Sequence, residues 1–268
     1  MVRMLALSTS LILATLPAQA QEPFITLAST TSAQNSGLFR HVLPKFTDAT
    51  GIAVRVIAVG TGAAIRLARA GDADVLLVHH KASEMAFVAA GHGNARYPVM
   101  YNDFILVGPG SDPAEIRPVV DVDHALSRIA SVRAIFLSRG DQSGTHRREL
   151  ELWADAGADP TVASGNWYRE TGSGMGATLN VAAAMGGYTL TDRGTWLGFA
   201  NKRGLVLLHE GDMRLRNEYG VIMVSCDRHP HVKAEAGQVF VDWLLSTEGK
   251  DAIDDFKIDG TRLFHAVR

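Results

Sequence analysis

Between residues 24 and 90 the chain repeats one pattern three times: an apolar strand ends in a polar turn, and the turn opens a helix. The predicted strands cover residues 24–28, 52–59 and 74–78, and the third is nearly all apolar, as expected of a parallel strand buried on both faces. Strands that alternate with helices indicate an α/β fold. Ligands of such folds bind beyond the carboxyl ends of the strands, so a binding site is expected at these turns.

Two of these turns carry hydroxyl groups at a helix start. The sequence STTS at 29–32 follows the first strand, and GTG at 60–62 follows the second. A helix start has unpaired backbone N–H groups and a partial positive charge, which favour an anion. Serine and threonine also cap helices without binding anything, so neither turn alone establishes an anion site.

A third turn of this kind lies in the segment SRGDQSGTHRRE at 138–149. It sets Arg139 four residues before Ser143, Gly144 and Thr145, which open a helix predicted to run through Trp153. Two hydroxyls, free N–H groups, a glycine that permits close approach and a permanently charged guanidinium suit a tetrahedral oxyanion. An ordinary capped helix with a solvated Arg139 explains this segment about equally well when it is taken alone.

The first twenty residues have the layout of a secretory signal peptide. Arg3 precedes an apolar run at 5–16, and the sequence AQA at 18–20 provides a small-residue cleavage site. We therefore expect a periplasmic mature chain that begins at Gln21 and carries no lipid anchor. The only cysteine, Cys226, can form no internal disulfide.

The overall charge excludes some classes of partner. The chain has 26 basic and 28 acidic residues, so no basic field points to nucleic acid or to an anionic membrane surface. An anion site must therefore be formed by a local group of residues and not by the overall charge of the chain. With 268 residues and 47% hydrophobic content, the chain is long enough for two lobes of ordinary size.

The sequence contains no strong catalytic or metal-binding motif. A serine hydrolase needs glycines on both sides of the nucleophile, and Ser143 has only Gly144 after it. His79 and His80 are adjacent and would point to opposite faces of a strand, and no HExxH or Cys/His set occurs. The glycine-rich turn at 172–176 lacks the Lys-Ser/Thr of a P-loop and no strand clearly precedes it, so we interpret it as a helix start without a nucleotide role.

Seven segments in order resemble the type II periplasmic solute-binding proteins of ABC importers, and among them the tungstate-binding receptors. The segments are TTSAQNSGLF, VGTGAAIRLARAGDADVLLVH, VMYNDFILVGP, SRGDQSGTH, WYRETGSGMGATL, YTLTDRGTW and LLSTEGKDAI. The resemblance implies two α/β lobes, each a mostly parallel sheet flanked by helices, joined by two crossing strands. After the signal peptide at 1–20, we expect one lobe from 21–102 with 213–268 and the other from 103–212.

The resemblance also implies a ligand and its binding residues. In the similar phosphate receptors, a carboxylate after the strand that here ends at Val78 accepts the proton of hydrogen phosphate, whereas this chain has His79 there. Tungstate and molybdate carry no proton at neutral pH, so this difference argues against phosphate. His79 and Asp192 are expected to contact the binding residues without touching the anion themselves. The residues expected to bind the oxyanion are Thr30, Thr31, Ser32, Gly60, Thr61, Gly62, Arg139, Ser143, Gly144 and Thr145.

The function expected on this basis is a periplasmic receptor that captures tungstate between its lobes and delivers it to an ABC permease. A molybdate or mixed receptor is the alternative of the same class, and a phosphoryl-group hydrolase on the same scaffold is the alternative of another class. We expect no enzyme activity, no cofactor, no protein-bound metal cation, no nucleic-acid partner and no membrane insertion of the mature chain. We also expect a monomer.

Overall fold

The computed structural model describes residues 23–268, so the predicted signal peptide lies outside the described residues. The first elements are β1 (Phe24–Thr30), α1 (Thr31–Asn35), α2 (Leu38–Thr50), β2 (Ala53–Val59), α3 (Thr61–Ala70), β3 (Val75–Val78), α4 (Lys81–Ala89) and β4 (Gly93–Pro109). The middle of the chain forms α5 (Val122–Ser131), β5 (Phe136–Ser138), α6 (Gly144–Asp155), β6 (Tyr168–Glu170), α7 (Met175–Met185), β7 (Thr189–Asp192), α8 (Arg193–Gly198) and β8 (Leu205–His209). The last part forms β9 (Arg216–Val224), α9 (Ala234–Leu245), α10 (Thr247–Asp254), β10 (Lys257–Ile258), β11 (Thr261–Arg262) and β12 (His265–Ala266).

The fold is two-lobed and α/β, with helices on the faces of the sheets, as the sequence predicts. One hydrophobic core takes its buried side chains from residues 25–100 and 219–266. Two adjoining cores take theirs from residues 104–215. Aromatic rings pack edge to face in both regions: the ring centroids of Phe46 and Phe240 are 4.9 Å apart in the first, and those of Phe136 and Trp153 are 5.1 Å apart in the second.

Two long strands connect the lobes, as expected. Strand β4 pairs antiparallel with β9 through its first part, and from Phe104 onward it pairs antiparallel with β7 and β8. Strand β9 returns beside it, so that Asn102 of β4 lies opposite Asn217 of β9. The pattern in the sequence indicated only the apolar half of β4, because its earlier half contains Pro98 and exposed side chains.

The sheets are mixed, which differs from the mostly parallel lobes implied by the resemblance. Strand β1 is parallel to β2 and to β3, and β5 is parallel to β6. The crossing strands run antiparallel to their neighbours, because β9 pairs antiparallel with both β3 and β4, and β12 pairs antiparallel with β4. The parallel strands are therefore those that lead directly into helices, and their carboxyl ends bear the turns of interest.

Three local features differ from or extend the expectations. A short strand, β6, does precede the glycine-rich turn at 172–176, where we expected none. The hairpin of β10 and β11 and the short strand β12 were not anticipated. In the part of the chain that the structure describes, no helix combines the length and the apolar character needed to span a membrane.

Candidate anion-binding site

The turn after β1 folds back on itself through hydroxyl groups. Thr30 is buried and caps α1, because its Oγ1 accepts a hydrogen bond from the backbone N–H of Ala33 at 3.4 Å. The Oγ atoms of Thr30 and Ser32 are 3.1 Å apart. Thr31 is exposed and Ser32 is half-buried, and both line a cavity of about 470 Å³ that also contains Arg139. The cap therefore engages Thr30, while the next two hydroxyls face the cavity.

The turn after β2 leaves a buried hydroxyl without a partner. Gly60 caps α3 and has no side chain to satisfy the first N–H groups of the helix. Thr61 follows it and is 1% exposed, and its Oγ1 has no hydrogen-bond partner within residues 23–268. An unsatisfied buried hydroxyl costs about 1–3 kcal/mol, so this group calls for a ligand or another explanation.

The start of α6 lies directly against this hydroxyl. Ser143 caps α6 by accepting from the backbone N–H of His146 at 3.3 Å. A Cβ at Gly144 would come within 2.9 Å of Thr61 Oγ1 and 2.8 Å of His79 Cε1, so only glycine fits there without a shift. The fold thus brings together the starts of α3 and α6, which are more than eighty residues apart in sequence. The sequence indicated each of them as a separate candidate turn for binding an anion.

Arg139 is held in place by a carboxylate that the sequence argument missed. Its Nε and Nη2 donate to Asp141 Oδ2 at 3.1 and 2.6 Å, and its Nη1 lies 3.5 Å from Thr145 Oγ1. The guanidinium is only 8% exposed, which excludes the solvated Arg139 considered above. Gln142 adopts a left-handed φ of 58° that turns the chain from Arg139 back into α6.

Both carboxylate oxygens of Asp141 accept hydrogen bonds from the protein. Oδ2 accepts from Arg139, and Oδ1 accepts from the backbone N–H of Ser143 at 3.1 Å. Burial alone would raise the pKa of Asp141, but the hydrogen bonds from Ser143 and the charge of Arg139 hold it below its usual value. The carboxylate is therefore ionised and serves to orient the guanidinium.

His79 connects the site to the crossing strands. Its Nε2 lies 3.3 Å from Ser32 Oγ, and its Nδ1 lies 2.9 Å from Oδ1 of Asn217, whose Nδ2 donates to Asn102 Oδ1 at 2.6 Å. Because an amide oxygen can only accept, this network places the ring proton on Nδ1 and leaves Nε2 to accept from Ser32. Burial, with the nearby charge of Arg139, lowers the pKa of His79 to about 4, so the ring is neutral at physiological pH.

Asp192 occupies a supporting position at the start of α8. It is 3% exposed, and its carboxylate accepts from the backbone N–H of Thr195 at 2.8 Å and from the hydroxyl of Thr195 at 2.6 Å. Burial raises its pKa, while Thr195 and the charge of Arg139 oppose that shift. Asp192 thereby fixes α8, and two residues of this helix, Gly194 and Thr195, line the cavity.

The start of α7 belongs to the same cavity, although the sequence argument gave the glycine-rich turn no binding role. Gly174 caps α7 without a side chain, and Gly174, Met175 and Gly176 line the cavity beside Arg139. The backbone N–H of Ser173 donates to the carbonyl of Arg139 at 3.2 Å, which joins the turn to the Arg139 loop. The signal available in the sequence was a glycine-rich turn opening a helix of eleven residues.

Taken together, these residues form a cradle of hydrogen-bond donors with one guanidinium. The starts of α1 and α7 line the cavity with Arg139, and Thr145 in the first turn of α6 lies 3.5 Å from Arg139 Nη1. The start of α3 lies against the start of α6 at Gly144. Among residues 23–268 no group of three or more His, Cys, Asp or Glu side chains is arranged to hold a metal ion. The arrangement suits a small oxyanion rather than a cation.

Comparison with known proteins identifies the family of this chain. The profile of the PBP superfamily domain matches residues 17–248. The chain is 46% identical over 234 residues to the tungstate-binding protein TupA of Peptoclostridium acidaminophilum, covering 87% of this chain and 81% of that protein. It is 36% identical over 237 residues to TupA of Campylobacter jejuni, covering 87% of each.

Solved structures give the same result. The tungstate-binding protein TupA from Desulfovibrio alaskensis superposes with a TM-score of 0.82 at 44% identity, covering 91% of this chain and 99% of that chain. The tungstate ABC transporter structure from Geobacter sulfurreducens gives a TM-score of 0.79 at 45% identity, covering 87% and 98%. The chain therefore belongs to the PBP superfamily, with the type II fold, and within it to the family of the TupA tungstate-binding proteins.

Proposed function

We propose that this protein is a periplasmic receptor that binds tungstate between its two lobes and delivers it to an ABC permease. The relatives at 46% and 36% identity are named as tungstate-binding proteins, and another at 42% identity is named as a putative ABC transporter anion-binding protein. These names support both the ligand and the permease partner. The predicted cleavable signal peptide at 1–20 supports the periplasmic location.

One observation carries the proposal: the buried hydroxyl of Thr61, which has no partner among residues 23–268, faces the start of α6 at Gly144, next to His79. In a folded protein such a group is normally satisfied, and an anion oxygen at this point would satisfy it. The N–H groups at the starts of α3 and α6 would donate to the same anion. Arg139 supplies the compensating positive charge, with Nη1 directed toward Thr145.

The donor set favours an anion that carries no proton. A hydrogen phosphate would need an acceptor for its O–H group, yet the position after β3 holds His79 in place of a carboxylate, and both of its ring nitrogens are engaged. The site therefore offers no carboxylate there to accept the ligand proton. Sulfate carries no proton but is smaller than tungstate, so a cradle spaced for the larger ion would leave sulfate oxygens short of their donors. Molybdate has nearly the same size and charge as tungstate, so we expect it to bind comparably or less tightly.

We propose that the lobes comprise residues 21–102 with 213–268, and residues 103–212. The separate hydrophobic cores support this division, and the presence of Leu215 in the second core supports moving the return boundary just beyond that residue. The lobes would open and close about the crossing strands, at 101–104 and 219–221. Ligand would be held in the closed form, where hydroxyls and helix starts of both lobes replace its water.

We also propose that the protein is a receptor and not an enzyme. Ser143 Oγ accepts from the backbone of its own helix, and within residues 23–268 no histidine ring bonds to it, so it is not activated as a nucleophile. We expect the protein to be inert toward phosphate esters. No cofactor and no association beyond the monomer are needed for the proposed binding.

Calorimetric titration of the purified mature protein with tungstate, molybdate, sulfate and phosphate tests the proposal. We expect tight binding of tungstate, comparable or weaker binding of molybdate, and weak binding of sulfate and phosphate. Tight phosphate binding that excludes tungstate in competition would refute the assignment of the ligand. A molybdate affinity well above that for tungstate would make the protein a molybdate receptor.

A further inference from the structure

Outside the proposed anion site, helices α4 and α6 form a second set of contacts between the lobes. Helix α4 belongs to the first lobe through buried Phe87, and α6 belongs to the second through buried Leu152 and Trp153. Arg147 Nη1 of α6 donates to Ser83 Oγ of α4 at 2.6 Å. His80, which caps α4, has its Nε2 at 3.1 Å from Oε1 of Glu151 on α6.

These contacts form one continuous chain of hydrogen bonds that begins and ends on α6. Arg147 can only donate, so Ser83 Oγ accepts from it and turns its own proton to His80 Nδ1, 2.7 Å away. The remaining ring nitrogen of His80 then donates to the Glu151 carboxylate. One proton on the ring is enough to give every donor an acceptor. Arg147 and Glu151 are four residues apart, so they lie on the same face of α6.

The network continues the face of α6 that begins at the anion. Gly144 opens the helix against Thr61, and Arg147 lies one turn further along, where its Nη2 would be 3.3 Å from a Cβ at Gly62. Glu151 follows one turn later. All four network side chains are half-buried. The first turn of α6 therefore lies at the proposed anion site, and its second and third turns contact α4 of the opposite lobe.

We propose that Ser83, His80, Arg147 and Glu151 form a clasp that holds the lobes closed around the bound anion and sets how slowly the anion leaves. This inference rests on the proposed function, since it assigns positioning residues for that binding reaction. The clasp residues do not line the cavity that contains Arg139. Their contribution is therefore to the lifetime of the closed form and not to the recognition of the ligand.

The position of the clasp explains why it should act on release. Two of its residues, His80 and Glu151, line an opening of about 540 Å³ on the α4 side of the cleft, which His79 also lines. Contacts of this kind stabilise the closed form, so their loss should raise the dissociation rate and leave the association rate nearly unchanged. From the usual strength of partly exposed charged hydrogen bonds, we expect release to be roughly 5- to 20-fold faster for each broken contact.

Exchange kinetics on the full mature protein test the clasp. Protein loaded with isotopically enriched tungstate is mixed with excess natural tungstate, and the retained isotope is followed by rapid filtration and mass spectrometry. The variants are Arg147→Ala, Glu151→Ala and Ser83→Ala, each at a helical position where alanine is well tolerated. Asp155→Asn, an exposed charge on the same helix, is the matched control.

We expect faster release in Arg147→Ala and Glu151→Ala, wild-type release in Asp155→Asn, and wild-type association in all of them. Because Arg147 acts through Ser83, combining Arg147→Ala with Ser83→Ala should add little beyond either change alone. Release at the wild-type rate in both Arg147→Ala and Glu151→Ala would overturn the clasp. Fully additive effects of Arg147→Ala and Ser83→Ala would overturn the pairing that it requires.

The clasp and the proposed function can fail separately. If wild-type protein does not retain tungstate, the proposed ligand is wrong, and small-angle scattering without any ligand then decides on the clasp. The Arg147→Ala/Glu151→Ala double variant should have a larger radius of gyration than Asp155→Asn, because its lobes are no longer held together. Equal values would overturn the clasp in that case.

Discussion

Replacing Thr61 by valine should change stability and affinity in opposite directions. The Thr61 hydroxyl is buried at 1% exposure and has no hydrogen-bond partner within residues 23–268. An unsatisfied buried hydroxyl costs about 1–3 kcal/mol, and valine replaces it with a methyl group of similar shape. Valine and threonine have nearly the same helix propensity, so we expect the ligand-free protein to gain roughly 1 kcal/mol.

The same change should weaken tungstate binding. A hydrogen bond to a charged partner contributes about 1.5–3 kcal/mol, so its loss corresponds to a roughly 10- to 150-fold higher Kd. The hydroxyl faces Gly144 across the lobes, with 2.9 Å between Thr61 Oγ1 and the position of a Cβ at Gly144, so no other side chain can take its place there. Thr61→Ser keeps the hydroxyl and should bind nearly as well as wild type.

Thermal unfolding without ligand and calorimetric titration with tungstate measure the two effects on one sample. For a chain of this length, 1 kcal/mol corresponds to a Tm increase of about 2–4 °C. A variant that is less stable than wild type without ligand, yet binds tungstate with the same Kd, would show that the hydroxyl is already satisfied and does not face the anion. The reasoning about Thr61 would then be wrong.

Three further predictions concern other residues. Arg139→Lys should weaken tungstate binding by about 10-fold or more, because one ammonium cannot hold Asp141 and also face the anion, and calorimetry giving an unchanged Kd would contradict this. Gly144→Ala should weaken binding by roughly 5- to 100-fold in the same assay, because its Cβ would lie 2.8 Å from His79 Cε1 and obstruct closure, so retained affinity would argue against this close approach. Burial raises the pKa of Glu149 from 4.5 to about 8, although hydrogen bonds from Ser138 and Tyr168 oppose the shift. Since the folded state keeps this proton while the unfolded state releases it, the free energy of unfolding should fall as pH rises from 4.5 to about 8, and denaturant titrations should show a flatter profile for Glu149→Gln.

The fold was largely predictable because local pattern and topology agree. Alternating strands and helices around residues 24–90 lead directly to β1, β2 and β3 and to the turns at their carboxyl ends. The direction of β9 was not predictable, because its partners in β3 and β4 lie more than a hundred residues earlier and no local signal fixes that pairing. The mixed character of the sheets follows from the antiparallel pairings of the two crossing strands, β4 and β9.

The hydroxyl groups and Arg139 of the candidate site were predictable from the sequence. The residues that hold them in position were less predictable. The position of Asp141 between Arg139 and the Ser143 N–H depends on left-handed residues at Gly140 and Gln142, and the second is a conformation that glutamine rarely adopts and that the sequence does not signal. The start of α7 lies beside Arg139 because the backbone N–H of Ser173 donates a hydrogen bond to the carbonyl of Arg139. Tertiary packing decides both, so reading each segment by itself could not find them.

The central claim is that one tungstate ion is held by both lobes, and anomalous diffraction at the tungsten absorption edge from crystals of the complex tests it most directly. The account predicts a single tungsten position in the cleft beside Arg139, at the starts of α3 and α6. Its oxygens should lie within hydrogen-bonding distance of Thr61 in the first lobe and of Arg139 or the Gly144 N–H in the second. A tungsten atom bound by groups of one lobe alone, or seated in the opening beside His80 and Glu151, would contradict the account.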